Sequence, residues 1–422
     1  MDLPPWSRRS GRLVADQTKL LYLISQFPAI NHGYLLAEVR LLRSLGLEVS
    51  VVSISLPDRP LEKLSQDERE EVARTYYVKS VPASLVAFLN IGEFLWHPLR
   101  YLRGLIFALG LAGSSPERVA YHLAYFAEAI LVGRRMRQLS ISHVHASFSA
   151  GVALITACAF PVTMSFGVYG FGELYDPSAA RLTERIKGAL FVRSISRHER
   201  GQLMLACDRS EWSKLVYVPL GIDAAKFASR TKQTISSPPR LLSVGRLAPE
   251  KGQALLLEAV AVLQAESCPV QLCIVGDGPD RPWLERLAAE LGIASNVEFA
   301  GWVDQTQLMT LYAKANLFVL PSLAEGIPIV LMEAMAMQIP CVAPHITGVP
   351  ELIEHGVEGM LFAVGDVEDL KKVIRNLLES PELCLRIGMR GRARIVRDYD
   401  IARNTERFGA VLVERLRDKP FL

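Results

Sequence analysis

The chain has 422 residues, of which 50% are hydrophobic, and its formal net charge is only +3. This length and composition allow large buried cores and favour two domains, or three, over one. The small net charge gives no argument for nucleic acid as a partner. The six cysteines are scattered without metal-ligand spacing, which argues against a disulfide framework and against a zinc site.

Short apolar runs alternate with helical patterns from residue 19 onward, which predicts an α/β domain with a parallel sheet over 19–220. Residues 1–18 lack the apolar core of a signal peptide, so we expect a disordered tail and a cytoplasmic protein. A helix is predicted over 33–46. The predicted strands of this domain are 20–25, 49–54, 143–146, 162–166 and 215–219.

A stretch rich in Ser, Thr, Lys and Pro predicts a linker over 221–238. The alternation then resumes and predicts a second domain of the same class over 239–395. Residues 396–422 predict a final amphipathic helix that could pack on either domain. In doubly wound sheets ligands bind beyond the carboxyl ends of the strands, so we expect two facing domains with a cleft between them. The predicted strands of the second domain are 240–245, 271–276, 297–301, 317–322 and 340–344.

Residues 85–112 are rich in Leu, Phe and Trp but are interrupted by a proline and three charged residues. No uncharged run of about 18 residues remains, so the stretch is not predicted to span a bilayer. Two interpretations stay open. The stretch forms a pair of core helices, or it forms a surface whose apolar side chains, including Trp96 and Phe107, rest on a lipid interface.

Two carboxylates stand in an unusually apolar setting in the sequence SLAEGIPIVLMEAM. Pro328 suits the first turn of a helix, so we expect the helix to begin near Ile327. Glu333 then lies inside a helix that is packed on most faces and needs hydrogen-bond donors. Glu325 precedes the helix N-terminus, where free N–H groups attract an anion. The alternative is that Glu325 is solvated and Glu333 pairs with an arginine inside the domain.

Two basic side chains follow the first strand of the second domain. Arg246 comes one residue after Gly245, and Lys251 lies in the turn that opens the next helix. A forked guanidinium beside an ammonium suits a diphosphate, whereas carboxylates suit the vicinal hydroxyls of a sugar. The alternative is that Arg246 caps a helix and Lys251 is a solvated charge. Together with the glutamates, the pattern indicates a nucleoside-diphosphate sugar.

Several sequence blocks of the chain, taken in order, resemble those of a known family. From 241 to about 369 it is similar to the donor-binding half of the retaining, family-four glycosyltransferases of the GT-B fold. The amino-terminal half resembles bacterial exopolysaccharide members of colanic-acid type in LYLISQFPAINHGYLLAEVRLLRSLG, SHVHASF and VRSISRHERGQLM. The matching blocks of the second half are GRLAPEKG, IVGDGPDRPWLERLA, NVEFAGWV, FVLPSLAEGIPIVLMEAMA and TGVPELIEHGVEGMLF.

The resemblance implies a role for each of these donor-side residues. Arg246 and Lys251 would hold the diphosphate, and Glu333 would take the ribose hydroxyls. Gly301 and Trp302 would lie near the base; the alternative is that they are an ordinary strand end. The implied donor-binding residues are Gly245, Arg246, Lys251, Gly301 and Trp302 near the base, Glu325, Gly326 and Ile327 at the sugar and phosphate, and Glu333.

The block SFGVYGFGELYDP departs from the family pattern. Tyr169 stands where many such enzymes carry histidine, while Gly170 and Glu173 are retained. If that position contributes its backbone carbonyl or its ring packing, Tyr169 serves; if it contributes an imidazole hydrogen bond, the donor preference differs or activity is lost. His145 has either a cleft role or a structural one. The implied catalytic residues are Arg246, Lys251, Glu325, Tyr169 and Glu173.

The resemblance implies transfer of a sugar, with retained configuration, to a saccharide acceptor in exopolysaccharide or other cell-surface glycan synthesis. We expect no metal and no cofactor besides the donor, because the acidic pair Asp398 and Asp400 opens the final helix rather than ending a strand. A lipid-linked acceptor would enter near 31–33 and Tyr169, with peripheral contact at the inner face of the plasma membrane. The alternatives are a nucleotide-sugar epimerase of similar fold and a catalytically degenerate nucleotide-sugar-binding protein.

Overall fold

The computed structural model describes residues 18–175, 181–227 and 237–417. The chain divides into two compact units. The first contains the described residues up to Ile195, Arg200–Val218 and the segment that begins at Ala402, and the second contains Ser196–Glu199 and Pro219–Ile401. Nearly all of the predicted tail, and residues 228–236 of the predicted linker, lie outside the described residues.

The first unit is built on a seven-stranded parallel sheet in the order β3-β2-β1-β4-β5-β6-β7. The order reverses beside β1, which is the kind of switch point where open α/β sheets bind ligands. The five predicted strands are present, and two others, the two-residue β3 and the six-residue β6, were missed. The strands are β1 Lys19–Gln26, β2 Glu48–Ser55, β3 Tyr76–Tyr77, β4 His143–Ser147, β5 Thr163–Val168, β6 Ala189–Ser194 and β7 Leu215–Tyr217.

Helices cover both faces of this sheet, which explains why β1 reads as a nearly continuous apolar run. Leu21 and Leu23 join one core, while Leu20 and Tyr22 join the core on the other face. The helices are α1 Gly33–Ser44, α2 Gln66–Arg74, α3 Ala83–Trp96, α4 Pro98–Ala112, α5 Pro116–Gln138, α6 Ala150–Ala159, α7 Phe171–Tyr175, α8 Leu182–Gly188 and α9 Arg197–Leu205.

The second unit is built on a six-stranded parallel sheet in the order β10-β9-β8-β11-β12-β13. The prediction of a second doubly wound domain is confirmed, and only β13 was missed. Its elements are β8 Arg240–Val244, α10 Gln253–Ala265, β9 Gln271–Val275, α11 Arg281–Glu290, β10 Val297–Gly301, α12 Gln305–Lys314, β11 Leu317–Val319, α13 Ile329–Ala336, β12 Cys341–Pro344, α14 Val349–Leu352, β13 Met360–Phe362, α15 Val367–Leu378 and α16 Pro381–Asp398.

The last helix, α17 Ile401–Arg417, packs on the first unit. Its Phe408 and Leu412 are fully buried in the core that contains Tyr22 and Phe191. The helix begins at residue 401 rather than 396, because residues up to Asp398 continue α16. Asp398 is therefore the last residue of α16, and Asp400 lies between α16 and α17.

The apolar stretch 85–112 forms the helical hairpin α3–α4, which places large apolar side chains at the surface. Its one buried acid, Glu93, is paired with Arg134 and Arg137 of α5. Trp96 is 82% exposed, whereas Phe107 is partly buried against the core, so only the former is a surface side chain. Exposed apolar side chains of the hairpin are Leu85, Phe88, Ile91, Phe94, Leu95, Trp96, Leu99, Leu102, Ile106 and Leu109.

None of the helices within the described residues combines the length and apolar content that a bilayer crossing requires.

Candidate functional site

The loop after β8 carries the first predicted basic residue. Gly245 N donates to the carbonyl of Val275 at 2.9 Å, which continues the pairing of β8 with β9. The buried Gln253 side chain donates to the carbonyl oxygen of Arg246 at 2.9 Å. The guanidinium of Arg246 is exposed and has no ion-pair partner among the residues described. The backbone is thus fixed while the charge faces solvent.

Lys251 and Glu325 form an ion pair. Lys251 Nζ lies 2.7 Å from Glu325 Oε1, and the two side chains are 26% and 9% exposed. Ser322 Oγ donates to the same carboxylate oxygen at 2.7 Å, and Thr347 Oγ1 donates to the Glu325 carbonyl at 2.6 Å. The structure therefore brings these two predicted residues together. The alternative of two separately solvated charges is wrong.

Helix α13 begins at Ile329, two residues later than predicted. Pro328 has φ −75° and ψ 116°, an extended conformation that places it before the helix rather than in its first turn. Gly326 and Ile327 consequently belong to the loop that leads into the helix. The helix ends at Ala336, and Gln338, two residues later, takes a left-handed conformation with φ 58°.

Glu333 is held by Tyr312, which sequence reasoning missed. Tyr312 OH donates to Glu333 Oε2 at 2.9 Å. Burial raises the pKa of Glu333 to about 7, although the bond from Tyr312 acts in the opposite direction. The predicted alternative, an arginine partner inside the domain, is wrong for the residues that the structure describes. Within the same residues, the other carboxylate oxygen, Oε1, has no hydrogen-bond partner.

The carboxyl ends of β8, β9 and β10 approach one another through glycines. Gly276, just after β9, has φ +131°, and a Cβ there would lie 2.0 Å from the Gly245 carbonyl oxygen. Its N–H donates to the carbonyl of Gly301 at 2.8 Å. Trp302 follows and is 47% exposed. Gly276 was not predicted as a site residue, although it stands in the quoted block IVGDGPDRPWLERLA.

In the first unit, Tyr169 follows β5 at the carboxyl edge of the sheet. Its hydroxyl lies 2.9 Å from Ser147 Oγ and 3.5 Å from Tyr22 OH. Burial raises the pKa of Tyr169. A Cβ at Gly167 would lie 2.5 Å from the Tyr169 ring, so glycine is what lets this ring fold back over its own strand.

A buried polar network lies behind Tyr169. Tyr22 OH donates to Glu38 Oε1 at 2.6 Å, and Arg193 Nη1 lies 2.6 Å from Glu38 Oε2. His145 is fully buried and has Nδ1 2.8 Å from Ser165 Oγ. Burial lowers the pKa of His145 well below its usual value. The structural interpretation of His145 is therefore the correct one.

Glu173 lies in α7, but the structure does not describe its side chain or that of Asn31. The role of Glu173 therefore stays a prediction. Among the residues described, there is no group of three or more His, Cys, Asp or Glu side chains that could hold a metal ion.

Residues 226–394 match the family described as "Glycosyl transferases group 1". The amylovoran biosynthesis glycosyltransferase AmsK of Erwinia amylovora is 24% identical over 416 residues, covering 90% of this chain and 96% of that protein. The putative colanic acid biosynthesis glycosyltransferase WcaL of Escherichia coli K12 is 25% identical over 410 residues, with the same coverage.

The fold has solved counterparts. The structure of Anabaena Alr3699/HepE in complex with UDP and glucose has a TM-score of 0.70 at 17% identity, and the match covers 94% of this chain and all of that one. The chain has the GT-B fold. Its carboxyl-terminal domain is a group 1 glycosyltransferase domain, and its homologues include amylovoran and colanic acid biosynthesis glycosyltransferases.

Proposed function

We propose that the second unit binds a nucleoside-diphosphate sugar and that the chain transfers a hexose from it, with retained configuration, to a saccharide acceptor. The observation that carries this proposal is the Lys251–Glu325 pair beside the exposed Arg246. Basic side chains and carboxylates at one sheet edge match a ligand that has a diphosphate and several hydroxyls.

Lys251 can serve the donor without releasing Glu325. An ammonium has three donors, and only one is directed at Glu325 Oε1. Oε1 also accepts from Ser322, whereas within the described residues Glu325 Oε2 has no partner. We assign Oε2 to a hydroxyl of the transferred sugar and Lys251 to a phosphate oxygen.

Glu333 is assigned to the ribose. Its Oε2 is occupied by Tyr312, which leaves Oε1 to accept from a vicinal diol. Gly301 and Trp302 lie on the β10 side of the same sheet edge, where they would flank the base. The glycine contacts at Gly276 keep this edge free of side chains.

The chemistry requires stabilisation of the departing diphosphate. As the anomeric bond breaks, negative charge grows on the leaving group and the sugar becomes oxocarbenium-like. Arg246, Lys251 and the N–H groups of Gly326 and Ile327 would meet that charge. We propose that these groups act without a metal ion, so that excess EDTA leaves the transfer rate unchanged.

Tyr169 is proposed to act through its ring and backbone at the sugar face. Its hydroxyl lies 2.9 Å from Ser147 Oγ, so we assign the contact with the sugar to the ring and the backbone rather than to the hydroxyl. Glu173 is proposed as its acidic neighbour on the basis of the family pattern alone.

The experiment that tests the reaction follows the transferred sugar by proton NMR. Incubation of the protein with a nucleotide sugar and a saccharide acceptor should release the nucleoside diphosphate and give a glycoside with the donor's anomeric configuration. The inverted anomer would contradict retention, and conversion of the nucleotide sugar without any acceptor would contradict transfer.

The names of the relatives place them in extracellular polysaccharide synthesis. We therefore propose a saccharide acceptor of that kind, carried on a lipid, and peripheral contact with the inner face of the plasma membrane. The exposed α3–α4 hairpin supports the contact, because apolar helical faces beside basic residues bind lipid interfaces. Leu99→Ser should reduce binding to vesicles, whereas Leu205→Ser, an equally exposed leucine on α9, should leave it unchanged.

A further inference from the structure

A cavity of about 240 Å³ opens where the α3–α4 hairpin meets the sheet of the first unit. Its walls come from the hairpin turn, the end of α5, the residues before β4 and the residues before β5. The lining residues include His97, Arg100, Arg137, Ser142, Phe160 and Val162. Residues before parallel strands lie at the amino edge of the sheet, so this cavity is at the opposite edge from Tyr169.

The cavity has an excess of positive charge. Glu93 is the only acid among its lining residues, and it is already shared by Arg137 at 2.6 Å and Arg134 at 3.2 Å. Arg137 also lies over the Phe160 ring, which fixes its position. Arg100 is exposed and has no ion-pair partner among the residues described. The lining thus has two arginines and one carboxylate, and that carboxylate is also paired with Arg134, so positive charge remains that an anion can neutralise.

The two most exposed apolar side chains of the hairpin are close in sequence to residues that line this cavity. Trp96 and Leu99 are 82% and 83% exposed, and they alternate with the cavity residues His97 and Arg100. A surface that inserts Trp96 and Leu99 into acyl chains would hold the cavity at the depth of the phosphate groups. The positive charge of the cavity and the exposed apolar side chains beside it therefore both favour a ligand with an anionic headgroup and acyl chains.

We propose that this cavity binds the phosphate headgroup of an anionic glycerophospholipid. Arg100 would supply the free guanidinium for the phosphate, Arg137 and Ser142 would complete the wall, and Trp96 and Leu99 would anchor in the acyl region. The site recognises a lipid of the membrane itself. It lies at the opposite edge of the sheet from Tyr169. The proposal rests on the membrane contact proposed above and adds the lipid class and the residues that read it.

The test measures partition of the full chain onto vesicles of phosphatidylcholine alone and onto vesicles that contain phosphatidylglycerol. Arg100→Ser is compared with Arg74→Ser, which removes an exposed arginine from α2. We expect Arg100→Ser to weaken binding to the anionic vesicles at least tenfold and Arg74→Ser to weaken it less than twofold. Neither variant should change binding to neutral vesicles or the thermal midpoint.

Three results would overturn the headgroup site. Equal effects of the two arginine variants would mean diffuse attraction to the surface, and equal binding of the wild type to both vesicles would mean that no charge is recognised. Binding of sn-glycerol 3-phosphate that depends on Arg100, without any preference for anionic vesicles, would mean a site for free phosphate. If Leu99→Ser abolishes binding to both vesicles while the arginine variants behave alike, the membrane contact stands and only the headgroup site fails.

Discussion

Lys251 and Glu325 are 74 residues apart in the chain and meet at 2.7 Å. The contact follows from the sheet, because β8 and β11 are paired neighbours and the loops after both strands emerge at the same edge. A cation and a carboxylate are therefore held at the ends of adjacent strands, where a doubly wound sheet binds its ligand.

Lys251→Met should lose affinity for a nucleoside diphosphate but not for the matching nucleoside. A hydrogen bond to a charged group contributes about 1.5–3 kcal/mol, which corresponds to a loss of roughly 10- to 150-fold. Calorimetric titration of both ligands measures the difference. Lys314→Met, at an exposed lysine of α12, is the control and should bind both as the wild type does. An equal loss for nucleoside and diphosphate would mean that Lys251 only supports the fold.

Binding of an intact nucleotide sugar should weaken as the pH falls below 7. The pKa of Glu333 is raised to about 7 by burial, and the ionised carboxylate is a stronger acceptor for the hydroxyls of a diol than the neutral acid is. Affinity should fall by at most about tenfold for each pH unit below 7, since each unit is worth 1.36 kcal/mol. Glu333→Gln should bind more weakly and show no such slope. The same slope in the variant would assign the titration to another group.

Glu333→Gln should also be more stable than the wild type at pH 8 and equally stable at pH 4. The folded pKa of about 7 lies above the ordinary 4.5, so the stability that the protonated form contributes is lost as pH rises through 7. The gain at pH 8 is at most about 3 kcal/mol. Denaturant melts at both pH values measure it. A variant that is less stable at pH 8 would show that Glu333 is ionised without cost.

Gly167→Ala should reduce transfer without affecting donor affinity. The added methyl group would lie 2.5 Å from the Tyr169 ring and must displace it from the sheet edge. Gly201→Ala on α9, where a Cβ meets nothing within 4 Å, is the control. We expect kcat to fall at least tenfold in the first variant only. An unchanged kcat would exclude Tyr169 from the reaction.

Arg193→Met should destabilise the first unit by about 3–5 kcal/mol, because it leaves the buried Glu38 charge without its cationic partner. The double variant Arg193→Met with Glu38→Leu should recover part of that loss. Chemical denaturation of the three proteins tests this. Additive losses in the double variant would mean that the pair is not coupled.

The alternation of short apolar runs with helical patterns was enough to predict both sheets, because strands that are buried on both faces have nearly continuous apolar sequences. The missed strand β6 contains the fully buried Arg193, whose charge breaks that signal. The α3–α4 hairpin could not be assigned to core or surface, since its composition suits either. Glu333 was predicted to need a donor, but Tyr312 is 21 residues away and only the fold brings it close.

The most direct test of the donor site is the thermal stability of wild type, Lys251→Met and Glu333→Gln in the presence of UDP, GDP and ADP and their common sugar conjugates. Ligand at 100 times its dissociation constant should stabilise the wild type by about 2.7 kcal/mol. We predict a shift with the ligands of one base only, lost or much reduced in both variants. An equal shift in wild type and variants, or none with any ligand, would contradict the assignment of Lys251, Glu325 and Glu333 to a nucleoside-diphosphate sugar.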